Sequence, residues 1–300
     1  MNTYTRRRLT ALVVLIAVIW GLVALVRSMV GGGGGHSAAR TAATPVVDTN
    51  PVTIARRAVV PVLCWHQVRA LTGTESASDL TYIVTPQQLD TQLLALRRAG
   101  YTTITGEAYA AYLTTGKALP AKPILLTFDD GSAGQYTDAL PLLQQHHMVA
   151  TFFPMTVVLG KTNWITAQQL REIAAAGMSV GGHTWDHQNV AKLSTARDYR
   201  VQFVQPKADL QRILKKPVTL FAYPFGLWSR AAFPHLRSAG YTVAFQLSDK
   251  LYAKDPLMTV RRMIVPGWSG DELLRQIGVA FPDAPAGSGG TSTSTTTTAQ

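Results

Sequence analysis

Short apolar runs alternate with amphipathic stretches from about residue 58 to residue 282. Residues 59–65 (VVPVLCW), 123–128 (PILLTF), 150–155 (ATFFPM), 219–223 (TLFAY) and 241–247 (YTVAFQL) are apolar runs of strand length. Such continuity, without polar alternation, predicts strands buried on both faces. Residues 101–105 (YTTIT), 178–182 (MSVGG) and 258–266 (MTVRRMIVP) add weaker strand signals. Between the runs the period changes to that of a helix. In 85–100, Thr85 is placed to cap, Pro86 takes the first helical position, Leu89, Leu93 and Leu96 share a face, and Gly100 stops the turn. Residues 166–177 repeat the design with Thr166 and Gly177, and further helices are predicted over 106–116, 138–145, 229–239 and 269–279. Strands alternating with helices predict parallel βαβ units, and seven or eight of them suit an α/β barrel better than an open sheet.

The flanks follow other rules. Arg6, Arg7 and Arg8 precede eighteen uncharged residues from Leu9 to Val26. At about 1.5 Å per residue that run can span a hydrocarbon core of about 30 Å. Arg27 can snorkel to the interface. A cleaved signal peptide is the competing reading, but its apolar region is shorter, about 7–15 residues. The predicted organisation is a cytoplasmic tip and transmembrane anchor over 1–30 and a flexible linker over 31–57, followed by a folded domain over 58–282 and a low-complexity tail over 283–300. The basic cluster places the N-terminus inside and the domain outside the cytoplasm, on a single-pass membrane protein.

Composition narrows the partners. The chain is 47% apolar and 15% charged, enough for one core-bearing domain, and a monomer is expected. Its net charge of +11 is partly a property of the leader, where seven Arg face one Asp before residue 58. No basic helix interleaved with aromatics stands out, so nucleic acid is not an expected partner. Cys64 is the only cysteine, which excludes an intrachain disulfide and reads as an inert buried thiol.

The chemistry lies at the ends of the predicted strands, where a parallel barrel builds its site. His66 follows VLCW; Asp129 and Asp130 follow ILLTF; His183 and His187 follow MSVGG in HTWDH; Pro224-Phe225-Gly226 follows LFAY. Asp-Gly alone is a turn pair. Two adjacent carboxylates at the tip of a buried strand ask for more, because neighbouring anions resist burial. Two imidazoles four residues apart with one carboxylate suit Zn²⁺ or a related divalent ion, with a position left open. Asp186 reads as a loop residue supporting the pair. His146-His147, at the end of a polar helix, reads as surface.

TFDDG, HTWDH and FAYPFG, in that order, resemble the first three motifs of the polysaccharide deacetylases (the NodB-homology domain, carbohydrate esterase family 4). VPVLCWH resembles the opening strand of the branch that acts on exopolysaccharides such as poly-β-1,6-N-acetylglucosamine. The resemblance implies a distorted (β/α)7 barrel and a metal-dependent deacetylase. It makes Asp129 the general base, Asp130, His183 and His187 the metal ligands, and the Phe225 N–H an oxyanion donor. Tyr223, Pro224 and Trp185 become candidates for substrate contact. The cofactor implied is a divalent metal, Zn²⁺ first, then Co²⁺, Ni²⁺ or Fe²⁺, and the partner a polysaccharide. Two departures stand out. Ala222 occupies the place of the third motif's arginine, for which Arg261 or Arg262 could substitute. Residues 263–270 lack the late histidine, for which His66 is the natural replacement as general acid. Trp164, Trp228 and Trp268 could line a sugar groove or pack in the core. A catalytically silent glycan-binding barrel and an O-deacetylase of xylan-like chains are the competing readings.

Overall fold

The computed structural model describes residues 47–247 and 250–285; the predicted anchor, most of the linker and most of the tail lie outside the described residues. The strands are β1 (Val62–Trp65), β2 (Gln67–Val68), β3 (Ile83–Val84), β4 (Thr102–Ile104) and β5 (Pro123–Asp130). They continue with β6 (Thr151–Pro154), β7 (Ser179–Val180), β8 (Leu220–Ala222), β9 (Val243–Phe245) and β10 (Met263–Ile264). All ladders are parallel. The main sheet runs β10-β1-β5-β6-β7, with β4 also on β5, while β8 pairs β9. Single bridges, Gly182↔Phe221 and Phe245↔Val260, extend this order from β7 to β8 and from β9 toward β10.

Strand alternation divides the core. Ile124, Leu126 and Phe128 of β5 pack into the larger cluster, which includes helix residues such as Leu89, Leu93 and Leu143. Leu125 joins a second cluster with Val62, Phe153, Leu220, Ala222, Phe245 and Val260, drawn mainly from other strands. Both faces of β5 are therefore dry, as its unbroken apolar run requires. The helices end where their punctuation predicts. Thr85 accepts from the Gln88 N–H while the Gln88 side chain accepts from the Thr85 N–H, and Thr166 and Gln169 repeat this box.

Two expectations need correction. Residues 51–57, read as linker, form a helix capped by Asn50, with Ile54 buried and Arg57 donating to the Leu113 carbonyl at 3.0 Å. A lone isoleucine in a polar stretch is too weak a signal to predict that docking. His146, read as surface, is buried and lies 2.6 Å from the Asp90 carboxylate, whereas His147 is exposed. Position 146 follows Leu143 by one turn and so shares its buried face. Among the described residues, no helix is long and apolar enough to cross a membrane.

Candidate metal and catalytic site

β1, β5 and β7 bring His66, Asp129, Asp130, His183 and His187 to one cavity of about 550 Å³, with Phe225 on its wall. Asp130, His183 and His187 converge: each histidine Nε2 lies 3.3 Å from Asp130 Oδ1, and the potential ligand atoms all fall within 4.8 Å of one another. His183 is buried, and its Nδ1 donates to the Ala222 carbonyl at 2.8 Å, which turns Nε2 toward the carboxylates. His183 Nε2 and Asp130 Oδ1 are both buried without a hydrogen-bond partner among the described residues. Orphaned acceptors of this kind are costly unless a cation meets them. Burial drives the His183 pKa down, but Asp129 and Asp130 outweigh it and the net shift is upward, marking this point as one that attracts positive charge. Two imidazoles, a carboxylate and an open cavity fit a divalent cation.

Asp129 faces a different partner. Arg262 donates Nη1–H to Oδ1 at 2.6 Å and Nη2–H to Oδ2 at 2.7 Å, with both side chains almost fully buried. Burial raises the carboxyl pKa, yet the Arg262 charge, then His183, and the two hydrogen bonds bring it well below the usual carboxylate range. Of the two arginines considered as replacements, Arg262 therefore takes the place, while Arg261 donates to the Ala280 carbonyl at 2.9 Å. Cys64, His66 and Asp129 also cluster. That group is a poor cation site, because Arg262 already holds both Asp129 oxygens and burial keeps the Cys64 thiol protonated.

His66 packs edge-on against Tyr82, with centroids 5.0 Å apart, and its Nδ1 lies 4.0 Å from Cys64 Sγ. Burial lowers its pKa despite Asp129 and Asp130, so the resting imidazole is neutral. Phe225 holds φ 60° and packs its ring edge-on against His187 at 4.4 Å; Gly226 follows at φ 68°. Asp186 accepts from Gln202 Nε2 at 3.0 Å, and Gln202 Oε1 accepts the Trp185 N–H, so Gln202 braces the HTWDH loop. Among the described residues, eight non-glycine positions have positive φ, and Asp130, Thr184, His187 and Phe225 are four of them. Backbone strain is thus concentrated at this cavity.

Three expected substrate contacts need revision. Tyr223 is fully buried, packing against Phe221 at 5.3 Å between centroids, and Pro224 is buried too; neither lines the cavity. A residue that ends a doubly buried strand inherits its burial. Trp185 is half-buried and also off the cavity wall. The wall instead includes Arg69, Asp79 and Tyr82 from the segment joining β2 to β3, which no periodicity announced.

Residues 116–244 match the family described as polysaccharide deacetylase. Over those residues the chain carries a polysaccharide deacetylase domain. It is 26% identical to YxkH of Bacillus subtilis over 215 residues, which cover 71% of this chain and 74% of that protein. It is 24% identical over 245 residues to the poly-beta-1,6-N-acetyl-D-glucosamine N-deacetylase of Escherichia coli, covering 68% of this chain but only 36% of that enzyme. Among solved structures it is similar to IcaB from Ammonifex degensii, with a TM-score of 0.62 and 26% identity over 74% of this chain and 97% of that one. The deacetylase family thus covers the strands and loops that carry Asp129, Asp130, His183, His187 and Phe225.

Proposed function

We propose that this chain is a metal-dependent N-deacetylase of an N-acetylglucosamine-containing envelope or extracellular polysaccharide, releasing acetate and leaving amines. The observation that carries the reading is the division of the Asp-Asp pair. One carboxylate faces two imidazoles at an electron-rich, unpartnered point, and the other is held ionised by a buried arginine. Asp130, His183 and His187 would hold the cation, with Zn²⁺ preferred for this nitrogen and oxygen donor set. When bound it supplies a Lewis acid that polarises the acetamide carbonyl and acidifies water.

Asp129 accepts the proton of the attacking water, with Arg262 fixing the plane of its carboxylate. The Phe225 N–H, on its strained turn, faces the developing oxyanion. His66, neutral at rest, takes that proton on from Asp129, whose polar atoms lie within 4.8 Å of its own, and delivers it to the departing nitrogen, so that both groups end as they began. We read the circuit of parallel strands and bridges as a distorted (β/α)7 barrel, and residues 1–30 as an anchor that holds it outside the cytoplasm. The likeness to the E. coli enzyme favours a β-1,6-linked polymer.

The test is acetate release by the purified full-length chain, metal-loaded and chelator-stripped, from β-1,6 and β-1,4 N-acetylglucosamine oligomers, peptidoglycan and acetylxylan. Loaded protein should act on a β-1,6 oligomer and stripped protein should not. Asp129→Asn should abolish turnover with metal retained. Release from acetylxylan alone would make it an O-deacetylase, and metal binding with no release from any substrate would leave a glycan-binding barrel.

A further inference from the structure

The ladder between β1 and β5 stops at the pair Trp65↔Phe128. The next rung would join His66 to Asp129, the two residues assigned to proton transfer. It is missing because β1 turns away: Gln67 already pairs with Ile83 of β3, and its N–H donates to the Tyr82 carbonyl at 2.9 Å. β5 continues alone on that side, paired to β6 through Asp130↔Pro154. The backbones of the candidate acid and base therefore diverge where their separation matters most.

Gln135 fills the gap. It is fully buried, at the start of a π-helical turn, Gln135–Ala139, that follows the Asp-Gly motif. Its side-chain Nε2 donates to the His66 carbonyl at 2.8 Å and to the Asp129 carbonyl. Two carbonyl acceptors at one end of the amide require the NH₂ group there, which settles the orientation of the side chain. A second observation concerns Gly134: a Cβ there would lie 1.7 Å from the Val68 carbonyl oxygen. Only glycine lets the turn press this close to β2, and that approach delivers Gln135 beneath the divergence. Wide π-turns inside helices recur at functional sites, where they re-aim one residue.

We infer that Gln135 is a positioning residue for the deacetylation reaction: its amide replaces the missing rung and sets the spacing between His66 and Asp129. The inference rests on the functional reading above for the roles of those two residues. Neither carbonyl reacts, so Gln135 touches no substrate and acts through the backbone it ties.

The test uses the full-length, metal-loaded protein with Gln135→Leu, which keeps the volume and removes both donors, and Gln135→Asn, which keeps the amide one methylene short. Misplacement of reacting groups by about 1 Å costs about 100-fold in rate. Q135L should therefore lose about that much in kcat, with KM within about twofold and metal content as in wild type; Q135N should fall between. Unchanged kcat in Q135L overturns the inference, and so does a loss of activity that only tracks loss of metal or of folded protein. Should Q135L not fold, Q135N decides by the same criteria. If the wild type releases acetate from no oligomer, the functional reading fails on its own. The backbone tie is then judged by carbonyl ¹³C shifts: those of His66 and Asp129 should both move upfield in the variants, and unmoved shifts refute it.

Discussion

Replacing Arg262 with methionine separates stability from charge at the centre of the site. Asp129 is 1% exposed and both its oxygens are bonded to Arg262, so Arg262→Met leaves a buried, uncompensated carboxylate. Breaking such a pair costs about 3–5 kcal/mol. At about 2–4 °C per kcal/mol for a domain of this size, the melting temperature should drop by about 6–20 °C. The pH dependence should change sign. In the wild type the folded Asp129 pKa lies below its ordinary 3.8, so its contribution is complete above that value and is lost as pH falls below it. In R262M burial, the largest influence on this group, loses its main opponent and lifts the folded pKa above the unfolded one. Folding then favours the protonated carboxyl, and R262M should gain stability as pH is lowered from 7 toward 5. The double variant D129L/R262M should recover most of the loss, since a buried ion pair is readily replaced by apolar groups. Urea unfolding of the three proteins across pH measures all of this. A loss below about 1 kcal/mol in R262M, or an unchanged sign of its pH slope, would refute the argument.

Further expectations follow from neighbouring groups. A neutral proton carrier at His66 places the acid limb of kcat/KM below pH 6.5, with a plateau through neutrality; activity that falls as pH rises toward 7 would mean that resting imidazolium is the acid. His183→Ala should remove metal and with it the thermal shift of metal addition, about 2.7 kcal/mol at a hundredfold excess over Kd; an undiminished shift would remove His183 from the ligand set. Gly226→Ala should cost about 1–3 kcal/mol, because φ is 68° and the added Cβ would sit 2.5 Å from Leu247 Cβ. It should also lower kcat by displacing Phe225, and a variant with normal stability and rate would show that the turn is not needed.

What could be read from the chain depended on whether a residue's neighbours in sequence were also its partners in space. Asp129, Asp130, His183 and His187 sit in short motifs at strand ends, so their placement made them candidates and the motif resemblance gave them roles. Arg262 lay between two choices, although parity favoured it: Val260 shares its strand face and belongs to the same core cluster as Leu125, two residues from Thr127 and four from Asp129. Gln135 lay between the predicted strand 123–128 and the predicted helix 138–145, yet Ala139 and Leu143, four and eight residues on, are buried and place it on the inner stripe. A polar residue on an apolar stripe was the available signal. The β2–β3 segment had none, because two-residue strands show no period and the wall they build depends on the fold.

The Asp-Asp pair shows why part of the site lies beyond any pattern of alternation. Successive side chains on a strand point to opposite faces. Asp129 obeys, sharing the inner face of Thr127, which is bonded like Asp129 to Arg262 Nη1. Asp130 should then point away among the helices, yet both carboxylates line one cavity. The backbone resolves this: Asp130 has φ 74° while still paired to Pro154, and Gly131 follows at φ 88° with its Cβ position 2.8 Å from Pro154 Cβ. A left-handed residue at the tip swings the second side chain back to the rim, at a cost of about 1–2 kcal/mol. Gly131 permits the continuation that any Cβ would obstruct. The adjacent anions thus reach the same cavity with different neighbours, the Arg262 guanidinium for Asp129 and the two imidazoles of His183 and His187 for Asp130.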